Sequence, residues 1–271
     1  MTTEPEQALS ALSVGLSPEE VLCLLNHLEA PDLPGVDRES FNALEPAQQQ
    51  MALDVARRGL LARELLLPEN DALNVNPLLL SMLVPNLVPE HSLLLWQQDD
   101  GNPGRMYYGH SWEDVHVLRW LSRLGIHQFL LLSSKEALAK AVVDLLELEM
   151  RPSPNETMHR LPVAVFEQAQ AAASAEGTAA AAERLRSGGL PQDVATLLGT
   201  ALAAPRRLAS IAGIHHAEEQ GGVRLSVMAI ETREGAWLVD YATAATDGQV
   251  SVRRGQAGEV EQRVRDFVAG Y

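Results

Sequence analysis

A collinear internal similarity constrains the fold of this chain more than any other feature of its sequence. Residues 75–83, Val-Asn-Pro-Leu-Leu-Leu-Ser-Met-Leu, are echoed by residues 194–202, Val-Ala-Thr-Leu-Leu-Gly-Thr-Ala-Leu. Residues 92–96, 105–108 and 129–132 find weaker counterparts in 210–214, 224–227 and 250–253, in the same order and always about 120 residues later. We also align two Leu-Pro pairs, Leu33-Pro34 near the start of the first copy and Leu161-Pro162 near the start of the second. This spacing predicts two copies of one unit of about 120 residues.

Hydrophobic periodicity and capping residues predict a similar order of elements in both copies, helices first and then strands with a closing helix. In the first copy we predict helices at 18–29, 45–67, 77–84 and 135–148, and strands at 91–97, 105–110, 114–118 and 127–133. In the second copy we predict helices at 162–174, 178–187, 191–203 and 258–269, and strands at 208–216, 223–232, 235–242 and 249–254. The fold class that follows is α+β, with two pseudo-symmetric repeats and hairpin-connected strands.

The boundary between the copies is predicted at residues 149–158, Glu-Met-Arg-Pro-Ser-Pro-Asn-Glu-Thr-Met. Two prolines among polar residues cannot continue a helix. We therefore expect a first repeat at 1–148, a linker at 149–158 and a second repeat at 159–271, together forming one quasi-two-fold body.

The charge balance argues against two classes of partner. The chain carries 36 acidic residues against 21 lysines and arginines, a formal charge of −15. Nucleic-acid affinity and adsorption to anionic membranes both depend on basic residues, so neither partner is expected. The first residues lack the features of a signal peptide, and no stretch reaches the about 18 apolar residues that span a bilayer. We expect a cytoplasmic protein.

Histidines supply the most site-like clusters of the sequence. His110 and His116 flank two acidic residues, and His215-His216 precedes an acidic turn. Neighbouring histidines on a strand point to opposite faces, and neither spacing matches a known zinc pattern. The lone Cys23 lies in an apolar run and cannot form an intrachain disulfide. We therefore predict no catalytic residues, no metal and no cofactor, with a metal-assisted hydrolase using His110, His116, His215 or His216 as the alternative.

Runs of three leucines at 65–67, 78–80 and 93–95 exceed what a one-sided amphipathic helix requires. Each run belongs either to the core or to a surface that binds a partner or a second copy of the chain. A homodimer, or a homo-oligomeric scaffold of unrelated function, therefore stays open beside the binding protein.

The order of elements resembles the EspG family, chaperone-like proteins of actinobacterial type VII (ESX) secretion. The resemblance is carried by the opening segment 16–22, Leu-Ser-Pro-Glu-Glu-Val-Leu, by the Pro205-Arg206-Arg207 run after paired leucines, and by the strand-rich segment 235–252 before a last amphipathic helix. It implies a quasi-two-fold α+β fold with a central antiparallel sheet flanked by helices.

The same resemblance implies a non-catalytic cytosolic chaperone or adaptor that binds a helical secretion substrate of the PE/PPE or WXG type. Such a substrate could lay an apolar helical tip into a groove of the second half. Candidate contact positions are Ala172 and Ala179 in the Ala-rich segment 169–182, and Arg233, Glu234 and Trp237 near a hairpin turn.

Overall fold

Helices and strands occur in both halves of the chain in the computed structural model, which describes residues 12–69, 72–100, 102–146, 157–216, 222–241, 247–255 and 258–270. The helices are α1 (Pro18–His27), α2 (Arg38–Asn42), α3 (Pro46–Ala62), α4 (Pro77–Leu87), α5 (Lys135–Leu146), α6 (Val163–Ala175), α7 (Thr178–Ser187), α8 (Gln192–Ala203) and α9 (Glu259–Ala269). The strands are β1 (Ser13–Leu16), β2 (Leu66–Glu69), β3 (Ala72–Val75), β4 (His91–Asp99), β5 (Arg105–Trp112), β6 (Val115–Leu121), β7 (His127–Leu132), β8 (His159–Pro162), β9 (Arg207–His215), β10 (Gly222–Thr232), β11 (Gly235–Asp240) and β12 (Gln249–Arg254). The predicted α+β class, with antiparallel strands and helices, is confirmed.

The chain forms two compact units whose boundary differs from the single cut predicted at 149–158. One unit comprises Met1–Ser92 and Tyr107–Leu138, and the other comprises Leu93–Met106 and Ala139–Tyr271. The segment that carries most of β4 thus belongs to the second unit, because its strand is the neighbour of β9. Most of the predicted linker, residues 149–156, lies outside the described residues.

The strands of the first unit follow the order β1-β7-β6-β5, with antiparallel pairs. Helix α1 begins where the sequence predicts, because Ser17 and Glu20 form a capping box: the Ser17 Oγ accepts from the Glu20 amide at 3.2 Å, and the Glu20 carboxylate accepts from the Ser17 amide at 2.9 Å. The core of this unit is largely aliphatic and is built from Leu16, Val21, Leu24, Leu25, Leu60, Leu79, Met82, Leu83, Val117 and Phe129, among others.

The predicted helix 45–67 ends at Ala62 instead, and the segment after it forms the β2–β3 hairpin. Glu64 adopts a positive φ of 55°, which a helix cannot contain, and Pro68 lacks the amide that a continuing helix would need. Leu66, which we predicted to lie in the helix, belongs to β2, and its side chain is buried in the core.

The strands of the second unit follow the order β4-β9-β10-β11-β12-β8. The four neighbouring pairs from β9 to β8 are antiparallel. Helices α6, α7 and α8 bury Phe166, Leu185 and Leu198 with strand residues such as Val239 and Val250. Among the described residues, no helix has the length and apolar character that crossing a membrane would require.

The two Leu-Pro pairs that we matched in the sequence lie in different local structures. Leu161 and Pro162 end β8, with Pro162 at the N-cap of α6, whereas Leu33 and Pro34 lie between α1 and α2. In the first unit, Leu16 and Ser17 hold the place directly before α1 that Leu161 and Pro162 hold before α6. The repeat itself stays a prediction.

Candidate partner-binding cavity

A cavity of about 700 Å³ opens where α8 meets β9 in the second unit. Cavities of this size lie in the range that proteins use for ligands and for protruding side chains of partners. We call it the α8–β9 cavity. Its lining residues are Gln98, Asp99, Asp100, Leu197, Thr200, Ala201, Ala203, Ala204, Pro205, Arg206, Leu208, Thr232, Arg233, Glu234, Trp237 and Arg254.

Helix α8 ends at this cavity because Pro205 follows. Proline has no amide hydrogen and disfavours helical geometry in the residue before it, and Ala204 accordingly has φ −142° and ψ 63°. Beyond the proline, the Arg206 amide donates to the Glu231 carbonyl at 2.8 Å, and the Asp100 amide donates to the Arg206 carbonyl at 2.9 Å. Backbone hydrogen bonds therefore join the end of the helix to β10 and to the segment after β4.

The turn between β10 and β11 forms another wall and is held by its own threonine. The Thr232 hydroxyl donates to the Gly235 carbonyl at 2.9 Å and accepts from the Glu234 amide at 3.2 Å. Gly235 has a φ of +131°, which residues with a Cβ rarely adopt. The intervening residues Arg233 and Glu234 are exposed, so both side chains are accessible at the rim.

Trp237 and Arg254 form a stacked pair on two neighbouring strands. The two residues are direct partners in the antiparallel pairing of β11 with β12, which places their side chains on one face of the sheet. The Arg254 guanidinium carbon lies 4.6 Å from the centroid of the Trp237 ring, in cation–π geometry. Only 4% of Trp237 is exposed, whereas Leu197 on α8 is 43% exposed. The cavity therefore combines an aromatic and an aliphatic contact with a cation.

Two arginines beside the cavity are held by carboxylates. Arg206 contacts Glu231 at 3.3 Å, and this glutamate is only 1% exposed. The Arg207 Nε donates to the Asp99 carboxylate at 2.5 Å, and its Nη1 donates to the Leu146 carbonyl at 3.0 Å. Because carboxylates of the same unit already compensate these charges, we assign both arginines a structural role in the cavity wall.

The other two arginines of the lining, Arg233 and Arg254, make no ion pair with any residue that the structure describes. Three arginines and three carboxylates line the cavity, in a chain whose formal charge is −15. The cavity is therefore richer in arginine than the chain as a whole. Arginine and tryptophan are the side chains most enriched at the energetic centres of protein interfaces.

Three of the five predicted contact residues lie together at this cavity, namely Arg233, Glu234 and Trp237. The structure does not bring Ala172 or Ala179 to it. Ala172 is buried on α6, where its small side chain permits close packing, and Ala179 lies exposed on α7. Sequence reasoning missed Leu197 and Arg254 as lining residues. In the sequence, Leu197 is one of two neighbouring leucines, and nothing marks it as a lining residue. The position of Arg254 depends on the register in which β12 pairs with β11.

The four candidate histidines have separate surroundings. In the first unit, the Nδ1 of His110 lies 2.8 Å from the Ser92 Oγ, and the Nδ1 of His116 lies 2.8 Å from the Ser111 Oγ. His116 is paired across the sheet with Ser111, the neighbour of His110 in β5, so the two histidines lie on opposite faces.

The other two candidates, His215 and His216, belong to the second unit. His215 packs edge-on against Phe267 at 5.4 Å, and His216 is exposed. In the described part of the chain, no group of three histidine, cysteine or acidic side chains is arranged to hold a metal ion.

No protein-family model matches the chain, and no curated protein matches it in sequence. In structure, the chain is similar to the Mycobacterium tuberculosis type VII secretion system chaperone EspG5, solved in complex with the PE25–PPE41 dimer. The two share 12% identity with a TM-score of 0.65, over 95% of this chain and 96% of that chain. The resemblance to the EspG family is thereby confirmed at the level of the fold.

Proposed function

We propose that this chain is a non-catalytic cytoplasmic chaperone or adaptor that binds a helical secretion substrate of the PE/PPE or WXG type. The observation that carries the proposal is the similarity of fold, over nearly the whole of both chains, to a secretion chaperone that was solved with its PE–PPE dimer. Since one fold can host many functions, the proposal also needs a site of the right chemistry.

The α8–β9 cavity is the site that we assign to the substrate. Leu197 offers the main apolar contact, together with the small exposed part of Trp237, and the exposed residues Arg233 and Glu234 offer polar contacts at the rim. A helical tip inserts apolar side chains into such a groove and is oriented by the charges around it.

Co-purification with PE–PPE pairs and with WXG proteins encoded in the same genome tests this proposal. The full chain is expected to form a soluble complex with at least one pair, detected by light scattering after size-exclusion chromatography. The same measurement on the free chain gives its oligomeric state and so tests the scaffold alternative. Failure of every pair to bind would contradict the chaperone function.

The position of the site is tested by Leu197→Glu, which places a charge at a half-exposed apolar position of the cavity. We expect this variant to weaken the complex by tenfold or more, because the carboxylate would have to be desolvated against an apolar partner. Leu124→Glu is the matched control, since Leu124 is 89% exposed and belongs to the first unit. Equal binding by both variants would place the interface elsewhere.

We also propose that the two halves derive from one repeated unit. In support, a short strand pairs with the last strand of an antiparallel meander in each unit: β1 with β7 in the first, and β8 with β12 in the second. In each case a helix follows the short strand, and another helix follows the last strand of the meander.

A further inference from the structure

We propose that Arg254 recognises a carboxylate of the bound partner, next to the apolar side chain that enters the α8–β9 cavity. This inference rests on the function proposed above. It adds that the cavity selects a helical tip with an acidic residue next to an apolar one.

The position of Arg254 is determined by backbone pairing and by its aromatic neighbour. Arg254 is the register partner of Trp237, and the next residue, Gly255, donates its amide to the Ala236 carbonyl at 2.8 Å. The guanidinium lies 4.6 Å from the indole centroid. Stacking engages the face of the planar guanidinium and leaves its N–H groups free to bind a carboxylate at the edge, with two parallel hydrogen bonds.

Arg254 also differs from the other arginines of the cavity in how its charge is compensated. Arg206 is held by Glu231, whereas Arg254 has no carboxylate within ion-pair distance among the described residues. Arg233 shares that property but is exposed, so that water screens its charge, whereas Arg254 is partly buried. A partner carboxylate therefore gains most from Arg254.

The acidic residues of the lining do not reverse this preference. Asp100 and Glu234 are exposed, and Asp99 is engaged by Arg207. An exposed carboxylate contributes little to discrimination between charged partners, because solvent and salt screen it. The partner that fits is a helical tip with a leucine or phenylalanine against Leu197 and the small exposed part of Trp237, and an aspartate or glutamate beside it.

A displayed library of helical hairpins with randomised tip residues tests the proposal on the full chain. Selection on the wild type is expected to enrich an apolar residue together with an aspartate or glutamate at one tip position. Selection on Arg254→Gln is expected to retain the apolar residue and lose the acidic one. Arg160→Gln, at an exposed position of β8 that does not line the cavity, is the matched control and should keep the acidic preference. Thermal melting of both variants checks that they are folded.

Three outcomes overturn the inference, and they are distinguishable. Apolar enrichment without an acidic position would leave the docking function standing and refute the role of Arg254. Acidic enrichment that persists on Arg254→Gln, or that also disappears on Arg160→Gln, would refute recognition by Arg254. Absence of any enriched hairpin would contradict the docking function and this inference together.

The selected hairpin also gives a quantitative check. When its acidic residue is replaced by the corresponding amide, the hairpin should bind the wild type about tenfold more weakly, as expected for the loss of a charge-assisted pair. On Arg254→Gln, the amide hairpin and the parent hairpin should bind with equal affinity. Arg254→Lys should restore only part of the difference, because an ammonium group cannot form two parallel hydrogen bonds in the plane. Equal losses on the wild type and on Arg254→Gln would refute a direct contact.

Discussion

Arg119 illustrates at the residue scale how the first unit accommodates a charge in its interior. The side chain is only 1% exposed, and its guanidinium donates to the Asn86 side chain at 2.9 Å and to the Pro34 carbonyl at 2.7 Å. Its face lies 4.3 Å from the centroid of the Tyr108 ring. Burial lowers the pKa of Arg119 to about 10, so the group remains charged at neutral pH. The neighbouring polar groups replace the water that this charge has lost.

His127 is expected to make the stability of the protein depend on pH. It is 2% exposed, and its pKa is lowered to about 4, first by burial and then by the positive charge of Arg119. The unfolded chain, with an ordinary histidine pKa near 6.5, binds the proton more readily than the folded chain. The free energy of unfolding should therefore be at its full value above about pH 6.5, and fall as the pH is lowered towards 4.

His127→Gln is expected to reduce this fall, and urea denaturation of both proteins at pH 7 and pH 5 measures it. Burial also lowers the pKa of His116, so part of the dependence should remain in the variant. An identical difference between pH 7 and pH 5 in both proteins would contradict the assignment to His127.

At the scale of elements, two glycines allow close packing in the second unit. A Cβ built on Gly199 of α8 would lie 2.9 Å from the Ala182 amide nitrogen of α7. A Cβ on Gly213 of β9 would lie 2.5 Å from the ring of Phe267 on α9. Side chains at these positions would have to push the elements apart, because the neighbouring atoms are backbone or a rigid ring.

For Gly199→Ala, the sign of the change in the free energy of unfolding is enough to test the close contact. In an exposed helix, glycine to alanine stabilises by about 1 kcal/mol. Here we expect a destabilisation of about 1–3 kcal/mol, since the added methyl group overpacks the contact between α7 and α8. Thr196→Ala, at an exposed position one turn earlier, should change the stability by less than about 0.5 kcal/mol. Chemical denaturation measures both, and a more stable Gly199→Ala would refute the close contact.

At the scale of the whole molecule, the order of the chain and its division into compact units do not coincide. The second unit includes Leu93–Met106, which holds the first two residues of β5 and precedes the rest of β5, β6 and β7 in the first unit. Within the second unit, this segment contributes the Asp99–Arg207 ion pair and the hydrogen bond from Asp100 to Arg206. A cut at the predicted linker would therefore remove part of the second unit.

A fragment of residues 157–271 is accordingly expected to be much less stable than the same fragment joined to residues 91–106 through a Gly-Ser linker. Without β4, the strand β9 loses its neighbour and exposes a row of unpaired backbone groups. Urea denaturation followed by circular dichroism compares the two proteins. Equal midpoints would show that the second unit does not depend on β4.

Elements with strong local signals were predictable from the sequence. Helix α7 and strand β12 have the predicted bounds, because a glycine precedes and follows α7 and because β12 alternates apolar and polar residues. The strands β1 and β8 were missed. Each has four residues and no clear alternation, and it becomes recognisable as a strand through its pairing with β7 or β12.

The sequence by itself determined the α+β class, the acidic charge and the hairpin turn that carries Arg233 and Glu234, because each depends on composition or on neighbours along the chain. Only the tertiary structure decided that Leu197, Trp237 and Arg254 meet at one cavity, and that β4 belongs to the second unit. The physical reason is that strand pairing and helix packing bring together residues far apart in the chain. Local patterns indicate a strand or a helix, but they do not identify the distant residues that it will contact.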